Sequence, residues 1–209
     1  MKPTRSGAPD LSDGVVTLRP FSGGDAEFLS AAFADPEIRR YNGVLDRQGY
    51  PAPPISIADA AALIHGFASS WRAFAETGRP TGGALAITDA MSGELVGCCG
   101  VDDWSTADVA QIGYWLAPGA RGRGFATRAT ILLTRWLFAL GAARVFLTIV
   151  AGNEASVAVA RRAGFIHEGV MRSHAAWKGD RHDVLWFGAL PLEWAPARDI
   201  TEEPPCVVV

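Results

Sequence analysis

Residues 111 to 127 read Gln-Ile-Gly-Tyr-Trp-Leu-Ala-Pro-Gly-Ala-Arg-Gly-Arg-Gly-Phe-Ala-Thr, the pattern of a strand, a compact loop and the start of a helix. Gln111 to Leu116 is mostly β-branched, aromatic or aliphatic, which favours a strand. Pro118 and Gly119 end that strand, because proline lacks a backbone donor. Gly122 and Gly124 then allow dihedral angles that are closed to other residues.

The segment after this loop predicts a helix whose first turn binds an anion. Apolar residues from Ala129 to Leu140 recur at helical spacing, and Gly141 supplies the end. The unpaired amides of a first turn and the helix dipole attract negative charge, and Arg121 and Arg123 add two cations. A phosphate-bearing ligand is therefore expected. No Lys-Ser/Thr follows the glycines and a third glycine is missing, which excludes a nucleoside-triphosphate loop and a dinucleotide fingerprint.

A second unit of strand and helix follows. Arg144 to Val150 is an apolar run with Thr148 as its one polar interior residue, which predicts a strand buried on both faces. Asn153 has the position of an N-cap for the next helix. Gly164 followed by Phe165 is typical of a helix end with its hydrophobic contact.

Together these two units resemble the GNAT acyl-coenzyme A N-acyltransferase superfamily. Arg-Gly-Arg-Gly-Phe-Ala at 121–126 is similar to its pyrophosphate-binding signature, and its next motif is an Asn followed eleven residues later by Gly-Phe, as Asn153 and Gly164 are here. Ser156 and the pair Glu168-Gly169 resemble the RimJ/RimL branch, whose named members acetylate ribosomal-protein N-termini. The resemblance covers roughly residues 14 to 190.

This resemblance implies acetyl-CoA as co-substrate, no metal, and a sheet splayed open between the strands that contain Gln111 and Arg144. The pantetheine arm is expected in that gap, paired with strand backbone as a pseudo-strand. The residues expected to hold the coenzyme are Trp115, Leu116, Ala117, Arg121, Gly122, Arg123, Gly124, Phe125, Ala126, Thr127 and Asn153.

Acetyl transfer requires a deprotonated amine, a donor for the oxyanion and help for the departing thiolate. The backbone amide near Leu116 is expected to supply the oxyanion donor. Asp102 is the predicted catalytic carboxylate and Asp103 a predicted substrate contact; the alternative for both is a polar turn. An α-amino group loses its proton at lower pH than a lysine, so a strong base is dispensable for an N-terminal acceptor.

For the thiolate, the wider superfamily commonly places a tyrosine seven residues after the Asn, and this chain has Ala160 there. The resemblance therefore leaves the Ser156 hydroxyl as the expected hydrogen-bonding group near the sulfur, beside Asn153. The alternative interpretation is that Asn153 is a helix cap only and Ser156 a helix-start residue bonded to backbone.

The acceptor itself is left open. Aromatic Trp104, Tyr114 and Trp177 are predicted at the acceptor mouth, and acidic residues nearby favour a cationic substrate. A protein N-terminal amine is the first hypothesis, and a small-molecule amine such as an antibiotic, polyamine or amino-acid derivative is the second. The third hypothesis, of another class, is a non-catalytic acyl-CoA-binding sensor.

The expected fold is α/β of the α+β type, with one domain and a mixed, splayed sheet of about seven strands flanked by helices on both faces. The domain is predicted at 14–190, after a flexible arm at 1–13 and before a tail at 191–209. Residues 37–57, rich in Pro, Gly and aromatics, are predicted as an irregular surface segment.

Composition and charge limit the possible partners and the cellular compartment of the protein. A formal net charge of -3 argues against a nucleic-acid partner, and the sequence shows neither a signal peptide nor a membrane span. Cys98 and Cys99 are adjacent in an apolar run and Cys206 is alone, so a reducing, cytoplasmic compartment is expected. The two neighbours are interpreted as core residues, with a nucleophile as the alternative. The resembled branch makes a homodimer an open expectation.

Overall fold

The computed structural model describes residues 7–78, 80, 82–105 and 107–197. Within them, an open mixed sheet has eight strands in the order β1-β2-β3-β4-β5-β6-β8-β7. The strands are β1 (Leu11–Ser12), β2 (Val16–Pro20), β3 (Gly83–Asp89), β4 (Leu95–Trp104), β5 (Val109–Leu116), β6 (Arg144–Val150), β7 (Ile166–Trp177) and β8 (Asp180–Ala189). The mixed sheet is confirmed, with one strand more than expected because β1 was not predicted.

Five helices lie against the sheet within the described residues. They are α1 (Ala26–Ala32), α2 (Pro36–Asn42), α3 (Ile57–Thr77), α4 (Phe125–Ala139) and α5 (Glu154–Arg162). Helices α4 and α5 contribute to the larger core on one face, and α1, α2 and α3 surround a second core on the other face that contains Cys98 and Trp115. The C-terminal half of α3 reaches the larger core, where Trp71 contacts Trp136.

Helix α2 corrects the prediction of an irregular segment from residue 37. Asp35 caps this helix by accepting hydrogen bonds from the amides of Glu37 and Ile38, and Pro36 occupies the first turn. Proline is well placed there because the first amides of a helix have no partner within it. The Asp35-Pro36 pair is thus the start of a helix.

Strand β6 also departs from its prediction. Val145, Leu147 and Ile149 are buried, whereas Thr148 on the opposite face is exposed and Phe146 is half-buried. Phe146 stacks on Trp186 of β8 at 4.8 Å between ring centroids. The strand is therefore buried on one face, because in the described structure no helix lies over its other face.

The two predicted ends of the chain are partly built into the domain. Ala8 is fully buried and Leu11 pairs with Leu18, so the arm is not loose at these positions. After β8, the Trp194 indole donates to the carbonyl of Ala163 at 2.8 Å and packs on Phe138. Residues 1–6 and 198–209, including Cys206, lie outside the described residues. Among the described residues, no helix combines the length and apolar character that crossing a bilayer requires.

Candidate active site

The site begins where β5 and β6 separate. These parallel strands pair at Val109 with Arg144, Ala110 with Val145 and Gln111 with Phe146. Beyond Gln111 the described structure has no further pairing between them, although β5 continues to Leu116. The gap opens into a cavity of about 1000 Å³ lined by both strands, the 121–124 loop and the start of α5. This matches the splayed sheet expected from the sequence.

The loop before α4 has the geometry of an anion site. Gly122 and Gly124 have φ of +76° and +80°, and Gly124 is the N-cap of α4. The first helical hydrogen bond runs from the amide of Arg128 to the carbonyl of Gly124, so the amides of residues 125–127 have no acceptor inside the helix. These amides and the positive end of the helix dipole can bind a phosphate.

Arg121 is engaged by two carboxylates in this structure. Its guanidinium lies 3.0 Å from Asp35 Oδ2, forms a second ion pair with Glu37, and donates from Nε to the carbonyl of Leu116 at 3.2 Å. The cation expected to meet a phosphate therefore joins the loop to helix α2. A phosphate bound at the loop therefore has to compete with Asp35 and Glu37 for the Arg121 guanidinium.

Arg123 has a similar but looser arrangement. Its Nη2 lies 3.3 Å from Asp89 Oδ2, and its guanidinium is 4.6 Å from the centroid of the Phe125 ring. Half of the Arg123 side chain is exposed, so the ion pair is screened by water. Phe125 itself is 3% exposed and packs in the core instead of lining the cavity. Its amide, not its side chain, belongs to the site.

The backbone of β5 faces the gap at fewer positions than expected. The amide of Ala117 donates to Val96 on β4 and its carbonyl accepts from Ala120, so Ala117 does not face the gap. Because backbone groups alternate in direction along a strand, Tyr114 and Leu116 turn theirs toward β6. The contact from Arg121 to the Leu116 carbonyl lies on that open side. Of Trp115, Leu116 and Ala117, Leu116 presents free strand backbone to the cavity.

Asp102 is aimed into the cavity by a β-bulge. Val101 pairs with Ile112 and Asp103 with Gln111, which leaves Asp102 as the extra residue of β4. A bulge redirects the side chain of its unpaired residue. The carboxylate lies over Gly113, where a Cβ atom would be 3.0 Å from Asp102 Oδ2. Glycine at position 113 therefore makes the space that the carboxylate occupies.

The protonation of Asp102 is shifted toward neutral pH. The side chain is exposed to solvent through the open cavity, yet protein surrounds enough of it that burial raises its pKa from 3.8 to about 6. The solvent opening limits this effect, and its direction is upward because burial disfavours the charged carboxylate. A carboxylate with a pKa near 6 can accept a proton from an amine near neutral pH.

Asn153, Ser156 and Tyr114 form the opposite wall. Asn153 Oδ1 accepts from the amide of Ser156 at 3.1 Å, so the N-cap role is observed. The Tyr114 hydroxyl donates to the carbonyl of Ser156 at 3.3 Å and joins β5 to α5. Burial raises the pKa of this phenol, which keeps it protonated as a donor. All three residues line the cavity, and Tyr114 belongs to its wall rather than to an acceptor mouth.

Three predicted substrate residues lie outside the cavity. Trp104 is 6% exposed in the larger core, where its indole donates to Asp108 at 3.2 Å. Trp177 ends β7, with the Arg40 guanidinium 5.4 Å from its ring centroid. Asp103 is exposed and does not line the cavity. The bulge at Asp102 shifts the alternation of side chains in β4, so Trp104 turns to the opposite face. Trp177 is remote because β7 lies beyond β6 and β8 in the sheet.

Sequence reasoning missed two contributors to the cavity. Helix α2 covers one side of the cavity through Ile38, Tyr41 and Asn42, and its Asp-Pro-Glu start was the available signal. Arg162, in the last turn of α5, also lines the cavity with its Nε buried and without a hydrogen-bond partner among the described residues. Its place three residues before Phe165 gave no indication of this orientation.

The cysteines follow their core interpretation. Cys98 is buried in the second core and Cys99 in the larger core, on opposite faces of β4. Burial raises the pKa of Cys98 to about 12, and the nearby Asp102 charge adds to the shift. Burial likewise raises the pKa of Cys99. Both thiols stay protonated, so neither is a thiolate nucleophile near neutral pH.

Comparisons with known proteins agree with this geometry. A sequence model of the acetyltransferase (GNAT) domain matches residues 16–166. YdaF of Bacillus subtilis (strain 168), named as a candidate ribosomal N-acetyltransferase, is 38% identical over 86 residues, which cover 41% of this chain and 47% of YdaF. YoaA of the same strain, an uncharacterized N-acetyltransferase, is 28% identical over 178 residues, which cover 84% of this chain and 93% of YoaA.

A solved structure extends the similarity to the RimJ/RimL group. Mycobacterium smegmatis RimJ, in complex with CoA-disulfide, is 26% identical to this chain with a TM-score of 0.68, covering 90% of this chain and 89% of RimJ. The family resemblance noted from the two sequence motifs is confirmed. This chain belongs to the GNAT acetyltransferase family and is an N-acetyltransferase.

Proposed function

We propose that this N-acetyltransferase moves the acetyl group of acetyl-CoA directly to the α-amino group of a protein or peptide. The observation that carries the proposal is the Asp102 carboxylate, which a bulge places over Gly113 on the side of the cavity covered by α2. The coenzyme occupies the gap between β5 and β6, with its pyrophosphate at the 121–124 loop.

The acceptor class follows from proton transfer. At neutral pH an α-amine with a pKa near 8 is deprotonated about two hundred times more often than a lysine with a pKa of ~10.4. A carboxylate with a pKa of about 6 is a weak base, so it suits the more acidic ammonium group. YdaF, which is named as a candidate ribosomal N-acetyltransferase, supports the same class over the 86 residues that match.

The residues divide the reaction between them. Asp102 takes the proton of the attacking amine, directly or through one water. The amine nitrogen forms a bond to the thioester carbonyl carbon, and the Leu116 amide, turned toward the gap, donates to the oxygen that becomes negative. The carbon–sulfur bond then breaks, and the Ser156 hydroxyl at the opposite wall donates to the departing thiolate. The products are the acetylated amine and CoA.

Labelled acetyl-CoA identifies the acceptor. The purified protein is incubated with isotope-labelled acetyl-CoA and a cell extract, and the label is followed by mass spectrometry. Label on protein N-termini supports the proposal. The Asp102→Asn variant should transfer less of this label. Label confined to small molecules would move the acceptor to a metabolite or antibiotic amine, and label on lysine side chains would require a stronger base than Asp102.

A further inference from the structure

A second cavity lies beside the active site on the α2 side of the sheet. Its volume is about 740 Å³, and we call it the apolar chamber. Its wall is formed chiefly by Leu29, Phe33, Leu63, Gly66, Phe67 and Trp115. Neither the transfer chemistry nor the coenzyme site described above uses this space.

The apolar chamber and the active-site cavity are neighbours. Trp115 and Asn42 line both of them. Gly113 and Trp115 lie on the same face of β5, two residues apart, which corresponds to about 7 Å along a strand. Because the Asp102 carboxylate lies over Gly113, an amine held there is roughly two residues' length from Trp115 in the chamber wall.

The surface of the chamber indicates the chemistry of its occupant. Leu63 and Val44 line it while remaining 40% and 79% exposed, and solvent-exposed apolar groups concentrated at a cavity mark a binding surface. Among its polar members, Asp59 completes the capping box of α3, in which Ser56 is the N-cap and the Asp59 carboxylate accepts from the Ser56 amide at 3.1 Å. Arg39 differs, since its Nε is buried and has no hydrogen-bond partner among the described residues.

We propose that the apolar chamber is an acceptor subsite for a large apolar side chain. The preferred acceptor is then a peptide with such a side chain at its first or second residue. The inference rests on the proposed function, because it places the reacting amine at Asp102. It adds a substrate class that the transfer chemistry alone does not specify.

Three hexapeptides test the preference: Phe-Ala-Ser-Gly-Ser-Gly, Ala-Phe-Ser-Gly-Ser-Gly and Ala-Ala-Ser-Gly-Ser-Gly. With acetyl-CoA, we expect one phenylalanine peptide to exceed the alanine peptide at least about tenfold in kcat/KM, which is the scale of discrimination by an apolar pocket. Equal rates for all three peptides would overturn the subsite and leave N-terminal acetylation standing.

Two variants show whether the chamber causes the preference. Gly66→Leu places a side chain in the chamber where an added Cβ meets nothing within 4 Å, and it replaces a poor helix former. Ala61→Leu adds similar bulk at an exposed position of α3 outside the chamber. The preference should disappear in Gly66→Leu and persist in Ala61→Leu. A preference that survives Gly66→Leu contradicts the proposal.

Binding without turnover separates this inference from the proposed function. The indole N–H signal of Trp115 is followed by NMR while each peptide is added. If no peptide is acetylated, a shift caused by a phenylalanine peptide and abolished by Gly66→Leu supports the chamber and refutes N-terminal transfer. If the peptides cause no shift of the Trp115 signal and none is acetylated, both proposals are overturned. If Gly66→Leu reduces only the use of octanoyl-CoA, the chamber holds the acyl chain and the acceptor subsite is wrong.

Discussion

Arg121 of the 121–124 loop lies 3.0 Å from Asp35, the residue that caps α2. The same guanidinium also pairs with Glu37. A phosphate at the loop has to compete with these two carboxylates for Arg121, so the coenzyme site and α2 share one cation. Removing one of these carboxylate charges should therefore increase the affinity for the coenzyme.

Glu37→Gln is therefore expected to tighten acetyl-CoA binding. Exposed ion pairs contribute about 0.2–1 kcal/mol, so the gain in affinity should be at most about fivefold. Arg121→Gln should weaken binding and reduce its dependence on salt. Calorimetric titration with acetyl-CoA at two ionic strengths measures both effects, and Glu27→Gln on the exposed surface of α1 is the matched control. Weaker binding by Glu37→Gln would contradict this competition.

Asp102 should control the pH dependence of turnover. Its pKa of about 6 predicts that kcat/KM rises as pH increases through this value, because the carboxylate form accepts the proton. Asp102→Asn should lower kcat/KM by about a hundredfold and remove this limb of the profile. Asp103→Asn, one residue away but outside the cavity, should change the rate less than about twofold if proximity decides the role. A profile unaltered by Asp102→Asn rules out the base.

The Asp102 carboxyl should also affect stability, but its stabilising contribution decreases as pH rises, whereas its contribution to turnover increases. Folding raises the pKa of Asp102 from 3.8 to about 6, so its favourable contribution is complete below about pH 3.8 and is lost as pH rises through 6. Asp102→Asn should then raise the free energy of unfolding slightly at pH 8 and not at pH 3.5. Urea unfolding at both pH values, with Asp103→Asn alongside, measures the difference. A loss of stability at pH 8 would show that the carboxylate has a stabilising partner.

Gly113→Ala tests the position of the carboxylate without changing its chemistry. The new Cβ would lie 3.0 Å from Asp102 Oδ2, so the carboxylate has to move. Displacement of a catalytic group by about 1 Å can cost up to a hundredfold, and we expect a loss of roughly tenfold or more in kcat with unchanged acetyl-CoA affinity. Gly169→Ala in β7, where an added Cβ meets nothing within 4 Å, should leave kcat unchanged.

Ser156→Ala separates a catalytic hydroxyl from a helix-start residue. The hydrogen bonds to Asn153 and Tyr114 use the backbone amide and carbonyl of residue 156, so the variant preserves them. A hydroxyl that assists the thiolate predicts lower kcat with unchanged acetyl-CoA affinity. Steady-state kinetics and calorimetry make the comparison. Unchanged turnover would leave Ser156 as a structural residue only.

Local sequence determined the elements around the coenzyme site. The strand Arg144–Val150 has the predicted bounds, Asn153 caps the next helix, and the glycines at 122 and 124 adopt the positive φ angles expected of that loop. These features could be predicted because caps, turns and strand patterns depend on residues close together in the chain. The family and its enzyme class followed from two such local motifs at the right spacing.

Only the tertiary structure decided which side chains meet in the cavity. Asp102 enters because a bulge shifts the register of β4 against β5, whereas Trp104, two residues later, lies in the core. Arg121 is joined to Asp35 across 86 positions of sequence. Such contacts depend on strand register and helix packing between distant segments, and a one-residue change in register reverses the face on which a side chain lies.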